Sequence, residues 1–321
     1  MKKYFCILFC AMMFFACSEL FGPHELSFTE NDITPWLKTV KPNLPSTYSF
    51  YLYTPPGYGD VADQYPLLVF LHGWGNFGTD PDPSQFSSGP LWPLYDRTVN
   101  GVKMNGVNDL NEHVRESFVI YPRLPYGYAG EDDTLGYWHP DTLMHIIDYI
   151  RDMYPIDDNR LYVTGLSYGG GGTWKFGLYN HDLVAAIVPV CAAYPWGEQS
   201  TDTFDLDLSP LKNVPMWDFV SFDDGDAGYP SSLRAKTFNL ITGIDNIMAG
   251  YPNIDGNPLN PADGYYTLSL DTEGNGGWTA GVPYPSGSIN YTLYDYGGHD
   301  AWTRTYSNDT MWDWLYDQRR E

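Results

Sequence analysis

The amino-acid sequence predicts one α/β domain with a mostly parallel central sheet, and three observations favour this fold class. Short apolar runs alternate with helix-like segments from residue 48 to the C-terminus. Most of these runs are apolar along their whole length, as expected for strands that are covered on both faces. The length of 321 residues suits a single domain of this class. We therefore expect helices on both faces of the sheet.

The N-terminal part of the chain, residues 1–17, has the pattern of an export signal. Two lysines precede an apolar run at residues 4–15, and a small residue followed by Cys17 ends the run. This ending resembles a bacterial lipoprotein signal, in which Cys17 becomes the lipidated first residue. We expect an exported lipoprotein in the periplasm or at the cell surface, with ordinary secretion or a retained membrane anchor as the alternatives.

Residues 18–47 form the second part of the chain and predict a tether and entry segment. They are rich in Pro, Asn, Glu and Ser, and we assign no fold to them. The third part, residues 48–321, is the predicted α/β domain.

The strands and helices of this domain are predicted from the spacing of apolar residues. The strands fall at residues 48–53, 67–71, 118–121, 160–164, 185–190, 216–221 and 289–294. The helices fall at residues 142–153, 168–179, 231–244 and 309–318. In the first helix four apolar residues recur at i, i+3, i+4 and i+7, and we expect Asp141 to cap it.

Two long stretches between these elements predict irregular loops. They span residues 73–111 and 249–288, and the second is rich in Gly, Pro, Asn, Asp and Tyr. Loops of this length in a compact domain act as lids or binding loops, or are disordered. We treat residues 249–288 as a long irregular insertion in the domain.

The sequence G-L-S-Y-G at residues 165–169 carries the clearest chemical signal. It follows the apolar run at residues 161–164 and opens the helix predicted at residues 168–179. In such a strand-to-helix turn the serine has a strained backbone, and glycines two residues away on either side prevent side-chain collisions. Ser167 is therefore the candidate nucleophile.

A serine hydroxyl needs a base to remove its proton, so Ser167 requires a histidine partner. In sites of this kind the acid and then the histidine follow the serine in the chain. His181 and His299 are the two histidines after Ser167. His181 ends the helix that the serine begins and points away from the turn. His299 follows a Gly-Gly pair after the last predicted strand and is the candidate base.

The acid that orients His299 is expected just after the strand at residues 216–221. Asp223, Asp224 and Asp226 crowd together there. One of these three carboxylates is the predicted orienting acid, while an aspartate inside the strand and another beside the histidine rank lower. A solvated turn or a weak cation loop is the alternative interpretation of the cluster.

Acyl transfer also needs N–H donors for the oxyanion of the tetrahedral intermediate. The backbone N–H of Tyr168 is the first candidate, because it follows the nucleophile. The Trp74 amide, in the glycine-flanked turn after the strand at residues 67–71, is the second. His72, in the same turn, is expected to be a buried side chain bonded to loop backbone.

Composition limits the partners of the protein. The formal net charge is −23, from 17 basic and 40 acidic residues, so we expect no nucleic-acid partner. Three of the four cysteines lie in residues 1–17 and leave Cys191 alone, which excludes a disulfide framework. Aromatic residues make up 17% of the chain and suit either sugar and phenolic platforms or a core.

These motifs together resemble the α/β-hydrolase superfamily. More narrowly, they resemble exported esterases grouped with carbohydrate esterase family one, polyhydroxybutyrate depolymerases and predicted phospholipase/carboxylesterase-type peptidases. The resemblance covers about residues 48–318 and rests on YSFYLYTPPGY, PLLVFLHGWG, YPIDDNRLYVTGLSYGGGGTW and GGHDAWTRTY. It implies an α/β-hydrolase fold, a nucleophile at Ser167, a base at His299, and oxyanion amides at Tyr168 and Trp74.

The acid is the position at which the chain departs from the family pattern. The family has His-Gly-x-x-Asp after the acid-bearing strand, whereas this chain has Val-Ser-Phe-Asp-Asp at residues 220–224. The aspartate spacing is kept and the His-Gly pair is absent. Asp224 is therefore the positional match, with Asp226 and Asp223 as alternatives.

The resulting prediction is a serine-dependent carboxylic ester hydrolase, similar to carbohydrate esterases. By analogy it removes feruloyl or acetyl esters from polysaccharide, and such a polysaccharide or phenolic ester is its expected partner. The chemistry requires no metal or organic cofactor, and no obligate protein partner is predicted. The alternatives are a serine peptidase or phospholipase of the same fold, and a catalytically inactive glycan-binding lipoprotein at the cell surface.

Overall fold

A computed structural model describes most of the predicted domain. The described residues are 26–44, 47–59, 63–80, 86–94, 97–99, 102–104, 107–125, 138–193, 207–224, 231–243, 265–295 and 297–321. Some of the sequence predictions concern residues outside these ranges, namely residues 1–17, which end at Cys17, residues 249–264, and Asp226. None of the helices in the described ranges is long and apolar enough to cross a bilayer.

The strands and helices of the described residues are as follows. The strands are β1 (Phe28–Thr34), β2 (Leu37–Pro42), β3 (Ser49–Tyr53), β4 (Tyr65–Leu71), β5 (Arg97–Val99), β6 (Val102–Met104), β7 (Phe118–Arg123), β8 (Ile156–Leu166), β9 (Ala186–Val190), β10 (Met216–Ser221), β11 (Tyr265–Leu270), β12 (Gly276–Ala280) and β13 (Ile289–Tyr294). The α-helices are Glu112–Arg115, Pro140–Met153, Tyr168–Tyr179, Ser231–Thr242, Trp302–Tyr306 and Asp309–Asp317.

Eleven strands of the described residues form one sheet in the order β1-β2-β3-β7-β4-β8-β9-β10-β13-β11-β12. The six central strands, from β7 to β13 in this order, are parallel to one another. The strands at both edges pair antiparallel. The sheet is therefore parallel at its centre, as predicted, and becomes antiparallel toward its edges.

Both faces of the central sheet are buried, which explains the uninterrupted apolar runs. In β4, Leu67, Val69 and Leu71 belong to one core, and Leu68 and Phe70 belong to the other. The first core is completed by apolar residues of the helices Pro140–Met153, Tyr168–Tyr179 and Ser231–Thr242, and the second by those of Asp309–Asp317. Every side chain of such a strand is buried on folding, on one face of the sheet or the other. The same burial therefore explains both the uninterrupted apolar runs in the sequence and the helices that cover both faces.

Two predictions for the edges of the sheet are wrong. Residues 18–47, to which no fold was assigned, contain β1 and β2, and residues 249–288, taken as irregular, contain β11 and β12. The outermost strands β1 and β12 carry mostly partly exposed or exposed residues. An edge strand that buries little surface needs no apolar run, so hydrophobic periodicity does not reveal it.

The cap predicted for the helix Pro140–Met153 is also wrong. The helix begins at Pro140, so His139 occupies the cap position and Asp141 lies in the first turn. Proline is favoured at this first helical position because its fixed φ suits the helix and its missing N–H would have no partner there. Asp141 still places a negative charge near the N-terminus of the helix.

A charged network fastens the edge hairpin β1–β2 to the helix Pro140–Met153. The Glu30 carboxylate accepts hydrogen bonds from Lys38 Nζ at 2.7 Å, Tyr149 Oη at 2.8 Å and Tyr154 Oη at 2.7 Å. Lys38 Nζ also donates to Tyr154 Oη at 3.0 Å. The network fixes an edge that has few apolar side chains of its own.

The charges of this network stabilise the fold over a defined pH range. Burial raises the pKa of Glu30, but the bonds from Lys38, Tyr154 and Tyr149 outweigh it and hold the pKa below its ordinary value of 4.5. Burial lowers the pKa of Lys38, but Glu30 and Tyr154 raise it above its ordinary value of 10.5. Stability from Glu30 is therefore present above about pH 4.5 and lost as the pH falls through its lowered pKa.

Replacing Glu30 by glutamine is expected to lower the free energy of unfolding by about 1 kcal/mol at pH 7, because Lys38 loses its charged partner. The difference from the wild-type protein should shrink as the pH falls through the lowered pKa of Glu30, because Glu30 itself then becomes protonated. Urea unfolding at pH 7 and pH 3 measures both effects. Glu273→Gln is the matched control, since Glu273 meets Lys212 at 3.5 Å on an exposed turn. A loss in Glu30→Gln no greater than in the control would contradict a stabilising role for the network.

Candidate active site

The residues predicted from the serine motif lie at the carboxyl edge of the parallel strands. Leu166 of β8 pairs with Val190 of β9, and Ser221 of β10 pairs with Tyr294 of β13, so these four strands end at the same edge. Ser167 follows β8, Asp224 follows β10 and His299 follows β13. In open α/β sheets, ligands bind outside the carboxyl ends of the strands.

Ser167 has the strained backbone that the strand-to-helix turn predicts. It stands between β8 and the helix Tyr168–Tyr179 with φ 54° and ψ −115°. Its N–H donates to Val190 O at 2.9 Å, and its carbonyl accepts from Ala193 N at 2.8 Å. A non-glycine residue rarely adopts this conformation, and the bonds on both sides hold it there.

The two glycines of the motif are required by close backbone contacts. A Cβ atom on Gly169 would lie 1.8 Å from the carbonyl oxygen of Leu71, and one on Gly165 would lie 2.5 Å from the carbonyl oxygen of Gly169. A Cβ on Gly73 would meet the Leu166 side chain at 2.7 Å and Ser167 Cβ at 3.3 Å. The turn after β4 therefore packs directly against the serine.

Replacing Gly169 by alanine is expected to destabilise the protein by about 3 kcal/mol, at the upper end of overpacking costs, because the new Cβ meets a strand carbonyl that cannot move aside. The helix would shift away from β4 and carry the serine turn with it, so hydrolysis should fall as well. Thermal unfolding and ester turnover measure the two effects. Gly277→Ala is the control, because a Cβ on Gly277 has open space around it. Equal stability of the two variants would contradict this account.

His299 bridges Ser167 and Asp224. Its Nε2 lies 2.8 Å from Ser167 Oγ, and its Nδ1 lies 3.2 Å from each carboxylate oxygen of Asp224. Because the carboxylate only accepts, Nδ1 carries the proton and Nε2 is left to accept the serine hydroxyl. The Asp224 side chain is completely buried, while that of His299 is 31% exposed. The three side chains thus form a hydrogen-bonded row from the buried carboxylate of Asp224, through the imidazole of His299, to the hydroxyl of Ser167.

The other aspartates near the site have different contacts. Asp223 Oδ1 accepts hydrogen bonds from the N–H groups of Gly297 and Gly298 at 3.0 and 2.9 Å. Asp300 Oδ1 accepts from Thr303 N at 3.0 Å and so holds the start of the next helix. Of the three aspartates that the sequence left open, Asp224 faces the imidazole, Asp223 faces loop backbone, and the third lies outside the described residues.

The two residues predicted to supply oxyanion amides lie beside Ser167. Tyr168 is the first residue of the helix that follows it, and Trp74 lies in the turn after β4. Their rings are in contact, with centroids 5.3 Å apart and planes at 63°. The Trp74 side chain is 66% exposed although it is large and apolar, so it forms an open aromatic surface near the serine.

His72 has the structural role that the sequence predicts. It is fully buried, its Nδ1–H donates to Gly73 O at 2.7 Å, and its Nε2 accepts from Leu124 N at 3.1 Å. Burial lowers the pKa of His72 to about 4, with an opposing contribution from the Gly73 bond and a further decrease from the positive Arg123. A neutral imidazole with both nitrogens occupied connects the Gly73 turn to the end of β7.

Two aromatic residues near the site were not singled out in the sequence. Trp302 meets His299 edge to face, with ring centroids 5.6 Å apart, and Phe222 is 43% exposed just before Asp223. Both residues are sequence neighbours of predicted site residues, Trp302 of His299 and Phe222 of Asp223, but no spacing rule assigns a role to either.

A cleft of about 750 Å³ lies away from these residues. Its lining includes Tyr65 at the start of β4, together with His113, Arg115, Arg160 and Tyr316. Tyr65 and Ser167 lie at opposite ends of the parallel strands, so the cleft is separate from the site.

Comparison with known proteins supports the fold assignment. No family model matches the chain. Among solved structures, the chain is similar to a thermostable esterase with a TM-score of 0.51 and 24% identity over 92% of this chain, and it spans 63% of that protein's length. It is also similar to an acetyl xylan esterase from Aspergillus awamori with a TM-score of 0.52 and 15% identity, over 90% of this chain and 98% of that one.

The chain has the α/β-hydrolase fold. The parallel centre of the sheet and the helices on both faces fit this fold, and the overall similarity to the two esterase structures supports it. The fold predicted from the resemblance is therefore confirmed.

Proposed function

We propose that the protein is a serine-dependent carboxylic ester hydrolase with Ser167 as nucleophile, His299 as base and Asp224 as orienting acid. The observation that carries this proposal is the hydrogen-bonded row from Ser167 Oγ through His299 to the buried Asp224 carboxylate. A serine in a strained turn, an imidazole within 2.8 Å and a buried carboxylate together meet the requirements of nucleophilic acyl transfer.

The proposed reaction follows from this geometry. His299 Nε2 accepts the hydroxyl proton while Ser167 Oγ attacks the ester carbonyl, and the resulting imidazolium is stabilised by Asp224. The oxyanion accepts hydrogen bonds from the amides of Tyr168 and Trp74. His299 then returns the proton to the leaving alcohol, and the acyl group remains on Ser167. A water molecule activated by the same imidazole releases the carboxylic acid.

The proposed substrate is a feruloyl or acetyl ester on a polysaccharide. The exposed ring of Trp74 supports this choice, because an aromatic face near the serine suits a sugar ring or a phenolic acid. One similar structure is an acetyl xylan esterase, which is consistent with the same class of substrate. Export and lipidation at Cys17 would place the enzyme where such polymers are met.

The decisive experiment combines turnover with labelling of the nucleophile. The purified protein is assayed on a short-chain nitrophenyl ester, methyl ferulate, acetylated xylan and a peptide, and is then treated with a fluorophosphonate. We expect ester turnover and one phosphonylated peptide, containing Ser167. Turnover of the peptide alone would favour the peptidase alternative. Absence of both turnover and labelling would overturn the hydrolase proposal in favour of a glycan-binding role.

A further inference from the structure

The loop that carries His299 is held at several points by carboxylates. Asp295, just after β13, accepts a hydrogen bond from Arg304 at 2.6 Å. Asp300 holds the helix Trp302–Tyr306 through Thr303, as described above. Between these two points, Gly297 and Gly298 offer no side chain that could pack against the domain. Their backbone N–H groups are bound by Asp223.

The conformation of this glycine pair makes the contact with Asp223 specific. Gly297 has φ 154° and Gly298 has φ 55°, and both angles lie where glycine is favoured. Two successive N–H groups then converge on one carboxylate oxygen, Asp223 Oδ1. Backbone amides in this arrangement form a concave anion site. Here the carboxylate of Asp223 occupies this anion site.

Asp223 and Asp224 belong to the same short turn after β10 and make complementary contacts. Asp224 accepts a hydrogen bond from the imidazole of His299. Asp223 accepts hydrogen bonds from the backbone N–H groups of the two glycines that directly precede His299. The turn thus binds both the ring of His299 and the loop that carries the ring. Both contacts act on the segment that places His299 Nε2 2.8 Å from Ser167 Oγ.

We propose that Asp223 is a positioning residue, which fixes the Gly297–Gly298 backbone so that His299 reaches Ser167 and Asp224 at the same time. This inference rests on the proposed function. It also assigns Asp223 a role different from the orienting acid, because its contacts among the described residues are with backbone N–H groups. The effect is geometric, and a displacement of about 1 Å at a catalytic group can cost roughly 100-fold in rate.

The test compares three variants by their kcat, KM and thermal midpoint on a nitrophenyl ester. Asp223→Ala removes the acceptor, and we expect kcat to fall about 10- to 100-fold with KM within about twofold. Asp223→Asn retains a carbonyl oxygen that can accept both N–H groups, so it should keep kcat within about threefold. Asp271→Ala is the control, because Asp271 Oδ1 likewise accepts two amides, from Glu273 and Asn275, at the opposite end of the sheet.

Several outcomes would overturn the positioning role. These are a wild-type kcat in Asp223→Ala, an equal loss in Asp223→Ala and Asp223→Asn, or the same loss in Asp271→Ala. If Asp223→Ala does not fold, Asp223→Ser takes its place, since its shorter side chain cannot reach both amides. Failure of the proposed function has a different signature, in which the wild-type protein hydrolyses no ester or Ser167→Ala retains full turnover.

Discussion

Replacing Ser167 by alanine is expected to abolish ester hydrolysis, with a loss in kcat on the order of 10⁶-fold, the size found when the nucleophile of a serine hydrolase is removed. The structure gives the physical reason. Ser167 Oγ is the atom that His299 Nε2 approaches at 2.8 Å, and alanine leaves the imidazole with no proton to accept. Turnover of a nitrophenyl ester, measured against the uncatalysed rate, quantifies the effect.

The specificity of this loss can be tested with a matched serine and a double variant. Ser307→Ala removes an exposed hydroxyl that donates only to Thr303 O in the described contacts, and it should leave turnover unchanged. The combination of Ser167→Ala with His299→Ala should be no slower than Ser167→Ala alone, because residues that act as one unit do not contribute additively. Residual turnover in Ser167→Ala of a tenth of the wild-type rate would exclude Ser167 as the nucleophile.

The second large effect is expected at Asp224. Asp224→Asn should lower kcat by about 10⁴-fold, the cost of losing the orienting carboxylate in a serine triad. An amide cannot stabilise the imidazolium, and its N–H₂ group favours the tautomer in which Nδ1 accepts and Nε2 carries the proton. Since Nε2 could then no longer accept the serine proton, the loss should appear in kcat over the whole neutral pH range.

Parallel variants identify the acid among the three candidates. Asp223→Asn is expected to lose at most about threefold, because it keeps the acceptor for the loop amides. Asp226→Asn completes the series. A large loss in Asp226→Asn together with a small one in Asp224→Asn would move the acid role to Asp226 and contradict the assignment made from the contacts of His299.

The central sheet and the serine turn were predictable because the same physical constraint acts on every residue of those segments. A parallel strand such as β4 is buried on both faces, so its whole sequence is apolar. The turn at Ser167 permits no Cβ at Gly165 or Gly169, so its pattern is visible in the sequence. The edges of the sheet were not predictable, because β1 and β12 need only backbone pairing and a few contacts.

The proposed acid, Asp224, was only partly predictable, for a different reason. Three aspartates lie within four residues of each other after β10, and sequence spacing alone cannot tell which carboxylate meets His299. The choice depends on a contact between segments that are 75 residues apart. The interaction of Asp223 with the Gly297–Gly298 amides could not be predicted from the sequence either. Its acceptor is one carboxylate oxygen and its donors are backbone N–H groups, and no sequence pattern marks such a pair.

The turn after β10 also determines which changes of sequence the domain can accept. Asp223 and Asp224 are consecutive residues, one bound to the loop of His299 and the other to its ring. An insertion or deletion of one residue between Ser221 and Asp223 would move both carboxylates together, displacing the histidine and removing its counter-charge in a single step. A substitution at either aspartate removes one of these two sets of contacts, whereas a change in the length of the turn requires a matching change in the loop after β13. We therefore expect these two loops to vary in length only as a pair.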